Sequence, residues 1–261
     1  MMEPSTTSPE DPFAEIRPYS NLEAPAVMVR LTQDAELAET VARWRFPRLH
    51  AALPGLATFA GSIWLKVAAH RLTTVEDLQN LIAPNLSRMI KRTSRFSVSG
   101  IDGLDLSLAR VYLSNHRDIV MDPAYVNYAL HRAGANTLAI AIGDNLLSKP
   151  WVADLMRLNK SFVVKRNVSG PRALLAATKL LSQYIRDSVG STRNPIWIAH
   201  REGRAKDGRD LTEPAVIKML ALSRARGEAP EGVLSELNIV PLVISYEVDP
   251  CDALKAAELA A

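Results

Sequence analysis

Short apolar segments alternate with helical segments along the second part of the chain, and this order restricts the fold more than any other feature of the sequence. Each apolar run has the length of a strand, and each is followed by a polar loop and then by helical spacing of apolar residues. The predicted strands are 110–114, 137–142, 162–165, 195–199 and 239–246. The predicted helices are 123–133, 146–158, 172–188 and 214–224. This alternation is typical of an α/β domain with a largely parallel central sheet flanked by helices.

The chain before this alternation has a different character. Residues 1–12 contain almost nothing apolar beyond the initial methionines, so we expect a disordered tail there. Residues 13–95 show mostly helical patterning and are predicted to be a helical N-terminal region. An alternating segment at 96–99 predicts a strand. We therefore assign residues 96–261 to the α/β domain.

Three local signals within the helical region predict where helices begin and end. Pro25 suits a first helical position, because its missing N–H would be unpaired there anyway. The segment from Thr74 to Asp77 is typical of a helix cap. Pro84 is expected to break or restart the helix that follows this cap.

The longest apolar stretch, residues 51–65, is shorter than the roughly 20 residues that a membrane-spanning helix needs. It is interpreted as a buried helix or as an interfacial segment, which could lie on an anionic surface together with the basic cluster 88–95. The first twenty residues lack the charged start and apolar run of a secretory signal. The expected location is the cytoplasm, peripheral to the inner face of the cytoplasmic membrane.

Composition argues against several classes of function. The 31 basic and 28 acidic residues leave a formal net charge of +3, and we expect no nucleic-acid partner. The single cysteine, Cys251, excludes an internal disulfide framework and a cysteine-only zinc site, and no metal site or cofactor is predicted. The sequence contains neither a Gly-x-Ser-x-Gly elbow nor a Gly-x4-Gly-Lys-[Ser/Thr] loop, which argues against those forms of covalent catalysis and nucleotide hydrolysis.

Polar loops with reactive residue types follow three of the predicted strands. These loops are 115–122, 165–171 and 200–209. Ligands in α/β folds collect at the carboxyl ends of strands, so we expect the three loops to form one site. Arg166, Arg201 and Arg204 lie in two of them and could clamp a phosphate group.

The first of these loops contains a histidine and two carboxylates, a combination that can activate a hydroxyl group. A neutral imidazole takes the proton, and a carboxylate orients the ring and stabilises the imidazolium that forms. Asp118 and Asp122 could each reach the ring of His116. Alternatively, Asp118 caps a helix and His116 packs at the end of a strand.

At these loops the sequence resembles the glycerolipid acyltransferase family, which includes the 1-acyl-glycerol-3-phosphate acyltransferases. Four segments match in order: Ser114-Asn115-His116-Arg117 with Asp122, then 162–166, 198–204 and 239–243. The chain is most similar to a bacterial subgroup with Asn-His-Arg-Asp in the first segment and a helical N-terminal extension. Five residues separate His116 from Asp122 where the family usually has four, so Asp118 remains an alternative partner. The third segment has His200 and Arg201 before Glu202 and lacks the family's usual Pro and Thr.

The resemblance implies that His116 deprotonates a hydroxyl of a glycerolipid such as 1-acyl-glycerol-3-phosphate. The oxygen would attack an acyl thioester, acyl-CoA or acyl-carrier protein, which is a co-substrate and not a cofactor. The expected substrate-binding residues are Asn115, Arg117, Arg166, Arg201, Glu202, Gly203 and Arg204. The alternative function is a non-catalytic lipid- or membrane-binding protein on the same fold. A phosphate-ester hydrolase is a weaker third reading, because the sequence shows no metal-ligand cluster.

Overall fold

A computed structural model describes residues 11–260, so the tail predicted for residues 1–12 lies, apart from its last two residues, outside the described residues. The first regular elements described are five helices. They are α1 (Ala24–Thr32), α2 (Ala35–Arg45), α3 (Pro47–Ala52), α4 (Pro54–Ala69) and α5 (Val75–Thr93). The predicted helical N-terminal region is therefore confirmed.

Strands and helices alternate beyond α5, as the sequence predicts. The strands are β1 (Val111–Ser114), β2 (Ala139–Gly143), β3 (Ser161–Val164), β4 (Ile196–Ala199) and β5 (Val240–Leu242). The helices are α6 (Met121–Arg132), α7 (Pro150–Leu158), α8 (Pro171–Gly190), α9 (Pro214–Leu220), α10 (Pro230–Glu236) and α11 (Asp252–Ala260). Each predicted helix of this part appears, although the one predicted at 146–158 begins only at Pro150 and is preceded by a short 3-10 turn.

The five strands form one sheet in the order β3-β2-β4-β1-β5, and every neighbouring pair is parallel. Side chains on the strands are buried by helices on the sheet's faces, which is why their sequences are continuously apolar instead of alternating. Val111, Phe162 and Ile196 of the sheet pack with Ile185 of α8, and all four are fully buried. The predicted α/β fold with a parallel sheet is confirmed.

The sheet order determines which loops can share a site. Ser114, the last residue of β1, lies opposite Ala199 of β4 and opposite Leu242 of β5. The carboxyl ends of these three neighbouring strands are therefore level at one edge of the sheet. Two segments that follow them meet there, the β1 loop (residues 115–120) and the β4 loop (residues 200–213).

The strand predicted at 96–99 is wrong. Among the described residues this segment pairs with no strand, and aromatic packing holds it instead. The ring of Phe96 stacks on Tyr125 at a centroid distance of 5.5 Å and meets Tyr128 edge-on. Ser94 and Tyr125 also share a hydrogen bond between their hydroxyl groups. The segment therefore lies against α6 and not in the sheet.

Of the two predictions made for helix α5, the cap at Thr74 is confirmed and the break at Pro84 is wrong. Thr74 caps it as predicted, because its hydroxyl accepts the backbone N–H of Asp77 while the Asp77 carboxylate accepts the N–H of Thr74. The predicted break at Pro84 is wrong, since the helix continues through this residue. Leu78 and Ile90 are buried on either side of the proline and anchor both halves, which offsets the one backbone hydrogen bond that proline cannot make.

The last strand is shorter than predicted. The prediction was 239–246, but regular pairing covers only Val240–Leu242. Beyond this strand, the side chain of Asn115 makes the hydrogen bonds that the backbone of a neighbouring strand would otherwise make. Its amide donates to the carbonyl of Ile244 at 2.9 Å, and its oxygen accepts the Ile244 N–H at 2.8 Å.

The apolar stretch 51–65 falls largely in α4, which has two different faces. One face is buried against α2, and Gly61 lies so close that a Cβ there would be 2.5 Å from the carbonyl oxygen of Ala38. The opposite face carries exposed apolar side chains at spacings of three and four residues. These are Leu56, Phe59, Ile63 and Val67, here called the α4 apolar face. Within residues 11–260, no helix combines the length and the hydropathy needed to cross a membrane.

The N-terminal helices rest on the α/β part through α7. Leu31 and Leu65 pack in one buried cluster with Leu158 at the end of α7. Ahead of α1, Ile16 is buried in the core of the sheet, and its carbonyl accepts the N–H of Val163 in β3 at 2.8 Å. The two parts therefore share packed surfaces.

Candidate active site

His116 lies just beyond β1 and is paired with Asp122. The distance between His116 Nδ1 and Asp122 Oδ2 is 2.9 Å, and the carboxylate has no solvent exposure. The same oxygen accepts the backbone N–H groups of Arg117 at 2.6 Å and Asp118 at 3.0 Å. The phenol of Tyr246 donates to the other oxygen, Oδ1, at 2.8 Å. Donors therefore surround this buried carboxylate, as a buried charge requires.

The position of Asp122 in the helix explains how it reaches the ring. Asp122 is the second residue of α6, where the unpaired N–H groups of a helix start favour a carboxylate. Since Nδ1 of His116 faces a carboxylate, this nitrogen carries the proton in the neutral ring, and Nε2 is the free base. The imidazole also packs edge-on against Trp197 of β4, with ring centroids 5.8 Å apart.

Asp118 has a different environment, although the sequence left it open as the partner of His116. Its Oδ1 accepts the backbone N–H groups of Val120 at 2.8 Å and Met121 at 2.7 Å, so it caps the start of α6. Its Oδ2 accepts the thiol of Cys251 at 2.9 Å. Burial alone would raise the pKa of Asp118, but these hydrogen bonds and nearby Arg204 leave it below its ordinary value. The structure thus brings Asp122 to the imidazole and uses Asp118 as a helix cap.

Asn115 and Arg117 hold neighbouring segments in place. Arg117 donates to the carboxylate of Asp210 at 2.6 Å and to the carbonyl of Asp207 at 3.0 Å. The Asn115 amide also donates to Asp210, at 3.1 Å. Backbone bonds join the same loops, since the N–H of Ala205 donates to the carbonyl of His116 at 2.8 Å. The side chains expected to bind substrate at these two positions therefore fix the β4 loop against the β1 loop.

The remaining predicted substrate-binding residues lie along the same cleft as His116, which has a volume of about 2750 Å³. Arg166 follows β3 and approaches Glu202 at 3.4 Å. Arg204 pairs with Glu258 of α11 at 3.0 Å, and Lys206 pairs with the same carboxylate at 3.1 Å. Gly203, which lies between Glu202 and Arg204, has a φ of 70°, a left-handed conformation that glycine adopts without strain.

Two buried polar atoms of the β4 loop have no hydrogen-bond partner in the described part of the chain. They are Nε2 of His200 and Nε of Arg201. His200 is held through Nδ1, which lies 3.1 Å from the hydroxyl of Thr212. Burial, the largest influence, lowers the pKa of His200, so its ring is neutral at pH 7. The cationic character of this loop therefore comes from its arginine and lysine side chains.

Two contacts of this site were missed by reasoning from the sequence. Tyr246 was predicted as the end of a strand, and Cys251 was considered only as the single cysteine of the chain. Each bonds a carboxylate of the first loop from more than 120 positions away in the chain. No local pattern encodes such a contact, so only the folded chain reveals it.

Comparison with known proteins adds one finding. A family model described as Acyltransferase matches residues 95–245. This range contains all five strands, the pair of His116 and Asp122, and the arginines of the cleft, and it ends one residue before Tyr246. No curated protein matches the chain.

Proposed function

Because the chain belongs to the acyltransferase family, we propose that it moves a fatty acyl group from an acyl thioester to a hydroxyl group of a glycerolipid. The thioester is acyl-CoA or acyl-carrier protein, and the acceptor is a lipid such as 1-acyl-glycerol-3-phosphate. One observation carries the proposal, the buried pair of His116 Nδ1 and Asp122 Oδ2 at 2.9 Å. A histidine oriented by a carboxylate is the apparatus that transfers a proton from an attacking hydroxyl.

The proposed reaction assigns a role to each member of the pair. Nε2 of His116 accepts the proton of the acceptor hydroxyl while its oxygen attacks the carbonyl carbon of the thioester. The tetrahedral intermediate then collapses, the carbon–sulfur bond breaks, and the leaving thiolate takes the proton from the imidazolium. Asp122 stabilises the imidazolium in between, because its carboxylate lies at Nδ1. Asp118, the alternative partner, instead holds the start of α6.

The acceptor's phosphate is proposed to bind at the arginines beside this pair. Arg166, Arg201 and Arg204 line the cleft that His116 lines, and guanidinium groups suit phosphate oxygens. Glu202 supports Arg166 from across the cleft, and Gly203 allows the turn between Glu202 and Arg204. Asn115 and Arg117 contribute by holding the β4 loop in position.

The N-terminal region is proposed to attach the protein to a membrane surface, on the cytoplasmic side of a bacterial cytoplasmic membrane. The α4 apolar face is exposed, and Lys66 on the same helix and the nearby Arg71 are also exposed. An exposed apolar face with basic neighbours suits the interface of an anionic bilayer. A lipid acceptor would then reach the cleft from that surface.

A second candidate is a non-catalytic lipid-binding protein on the same fold. Its support is that Arg204 and Arg166 already pair with Glu258 and Glu202, so their charges are partly balanced without a ligand. Such a protein would bind lipid vesicles and leave acyl thioesters unchanged.

The deciding experiment measures acyl transfer with the purified protein. Acyl-CoA and acyl-carrier protein are each mixed with a panel of lysophospholipids and simpler hydroxyl acceptors, and both the free thiol and the esterified lipid are quantified. We expect His116→Ala to lose transfer by about 10²-fold or more. His70→Ala, an exposed histidine at the end of α4, is the matched control and should keep full activity. Lipid binding without thiol release would support the non-catalytic candidate instead.

A further inference from the structure

We propose that Tyr246 is a positioning residue for the transfer reaction: its hydroxyl holds the second oxygen of Asp122 and thereby fixes the carboxylate that orients His116. The inference rests on the proposed function, because it assigns Tyr246 to the same proton-transferring pair. The family match ends at residue 245, so this residue lies just beyond the region that the family model covers.

The two oxygens of Asp122 accept different numbers of hydrogen bonds. Oδ2 accepts three hydrogen bonds, from the ring of His116 and from two backbone N–H groups of the β1 loop. Within residues 11–260, the hydroxyl of Tyr246 is the donor to Oδ1, at 2.8 Å. Since the carboxylate is fully buried, loss of this hydroxyl would leave a charged oxygen without a donor and without ready access to water. The carboxylate could then turn about its Cβ–Cγ bond and lose its alignment with the ring.

The hydroxyl of Tyr246 can act only as a donor to this carboxylate. Burial, followed by the neighbouring Asp122 and Asp118 carboxylates, raises the pKa of Tyr246 well above its ordinary value. The phenol therefore keeps its proton throughout the pH range in which an acyl thioester is stable. An ionised carboxylate that faces a permanent donor has one preferred orientation.

The surrounding chain holds Tyr246 in place on both sides in the sequence. Asn115 holds the backbone of Ile244 through two hydrogen bonds, two residues before Tyr246. Cys251 donates to Asp118 five residues after it. The ring of Tyr246 packs against Tyr125 of α6, with centroids 5.9 Å apart. The segment from Ile244 to Cys251 is therefore attached to the β1 loop on both sides of the phenol.

The first test compares steady-state kinetics of Tyr246→Phe with those of the unmodified protein. Phenylalanine keeps the ring and removes one oxygen, so a positioning role predicts a fall in kcat of about 10-fold or more, as expected for a lost hydrogen bond to a charged group. KM for donor and acceptor should change less than about twofold, because on this proposal Tyr246 acts through Asp122. The matched control is Tyr112→Phe, a buried tyrosine of β1, which should leave kcat unchanged. Equal kcat in Tyr246→Phe and the unmodified protein would overturn the proposal.

A second measurement separates positioning from general support of the fold. In the Asp122→Asn background, adding Tyr246→Phe should lower kcat by less than about twofold, because the group through which Tyr246 acts is already changed. A full additional loss would show that Tyr246 acts by another route and would overturn the proposal. The double variant buries an unpaired neutral amide and not an unpaired charged oxygen, so we expect it to be destabilised less than the single variant Tyr246→Phe.

A proton NMR measurement tests the role of Tyr246 independently of whether the protein transfers acyl groups. The Nδ1 proton of His116 gives an imidazole N–H resonance whose chemical shift reports its hydrogen bond to Asp122, whether or not a substrate turns over. We expect this resonance to move or broaden in Tyr246→Phe and to stay in place in Tyr112→Phe. An unchanged resonance would overturn the positioning role. Absence of acyl transfer by the unmodified protein would instead overturn the proposed function, and the resonance would still decide whether Tyr246 orders the pair.

Discussion

The thiol of Cys251 donates a hydrogen bond of 2.9 Å to the carboxylate of Asp118, across 133 positions of the chain. This contact and two backbone N–H groups at the start of α6 occupy both oxygens of the Asp118 carboxylate. Asp122, four residues later, is therefore the acid at the imidazole. Two carboxylates in one loop thus have separate roles, one as a helix cap and one beside the ring.

The different environments of these two acids predict unequal effects on catalysis. We expect Asp122→Asn to lower kcat by about 10³-fold or more, because an amide neither stabilises the imidazolium nor fixes the tautomer. Asp118→Asn keeps an oxygen that can cap α6 and should lower kcat by less than about 10-fold. Steady-state kinetics at saturating donor tests both variants. Equal losses would show that the pair seen in the fold is not the pair that transfers the proton.

The hydrogen bond from Cys251 predicts a pH-dependent contribution to stability. The pKa of Asp118 is lower in the folded chain than its ordinary value of 3.8, so its ionised form stabilises the fold above that pH. This stabilisation is lost as the pH falls below 3.8. Cys251→Ala should lower the free energy of unfolding by about 1 kcal/mol at pH 6, and the difference should shrink below pH 4. Urea unfolding of both proteins across this range measures the effect, and a difference independent of pH would contradict it.

The salt bridge between Arg204 and Glu258 predicts that substitutions of these two residues have opposite effects on acceptor binding. If Arg204 binds the acceptor's phosphate, Glu258 competes for it, since the two lie 3.0 Å apart. Glu258→Gln should then lower KM for a phosphate-bearing acceptor by a few-fold, and Arg204→Ala should raise it by about 10-fold. An uncharged acceptor provides the control, because its KM should respond to neither change. Equal responses to charged and uncharged acceptors would remove the phosphate from this site.

The close approach of α4 and α2 predicts a steric effect at Gly61. A Cβ at this position would lie 2.5 Å from the carbonyl oxygen of Ala38, so Gly61→Ala should lower the free energy of unfolding by about 1–3 kcal/mol despite the better helix propensity of alanine. Gly55 in the same helix has nothing within 4 Å of its Cβ position. Gly55→Ala is therefore the control and should be neutral or slightly stabilising. Thermal unfolding of the two variants gives the comparison.

The α4 apolar face predicts how a membrane would be bound. Phe59 and Ile63 lie on this face and are exposed, so Phe59→Glu and Ile63→Glu should reduce co-sedimentation with anionic phospholipid vesicles by about 10-fold or more without loss of folding. Leu254→Glu, at an exposed apolar position of α11, controls for the added charge alone. Undiminished vesicle binding by the α4 variants would assign membrane contact to another surface.

The sequence by itself determined most of the regular elements and the location of the site. Apolar runs of strand length and the 3.6-residue spacing of helices are local properties, and they place β1 to β4 and α6 to α9 to within a few residues. The rule that ligands lie at the carboxyl ends of strands also predicts that the loop of His116 and the loop of Arg201 form one site. The predictions of strands and helices succeed because each depends on neighbours in the chain.

Tertiary structure alone decided the relationships between distant residues. The segment at Phe96 has the sequence pattern of a strand, but its ring packs against aromatic rings of α6. Pro84 lies within a helix because buried side chains on both sides of it anchor the helix. The partner of His116 depended on the turn between Asp118 and α6, where one residue more or less rotates a helical side chain by about 100°. Tyr246 reaches Asp122 only because the sheet places the end of β5 beside the end of β1. Local spacing carries no information about such contacts, since they follow from how the elements pack.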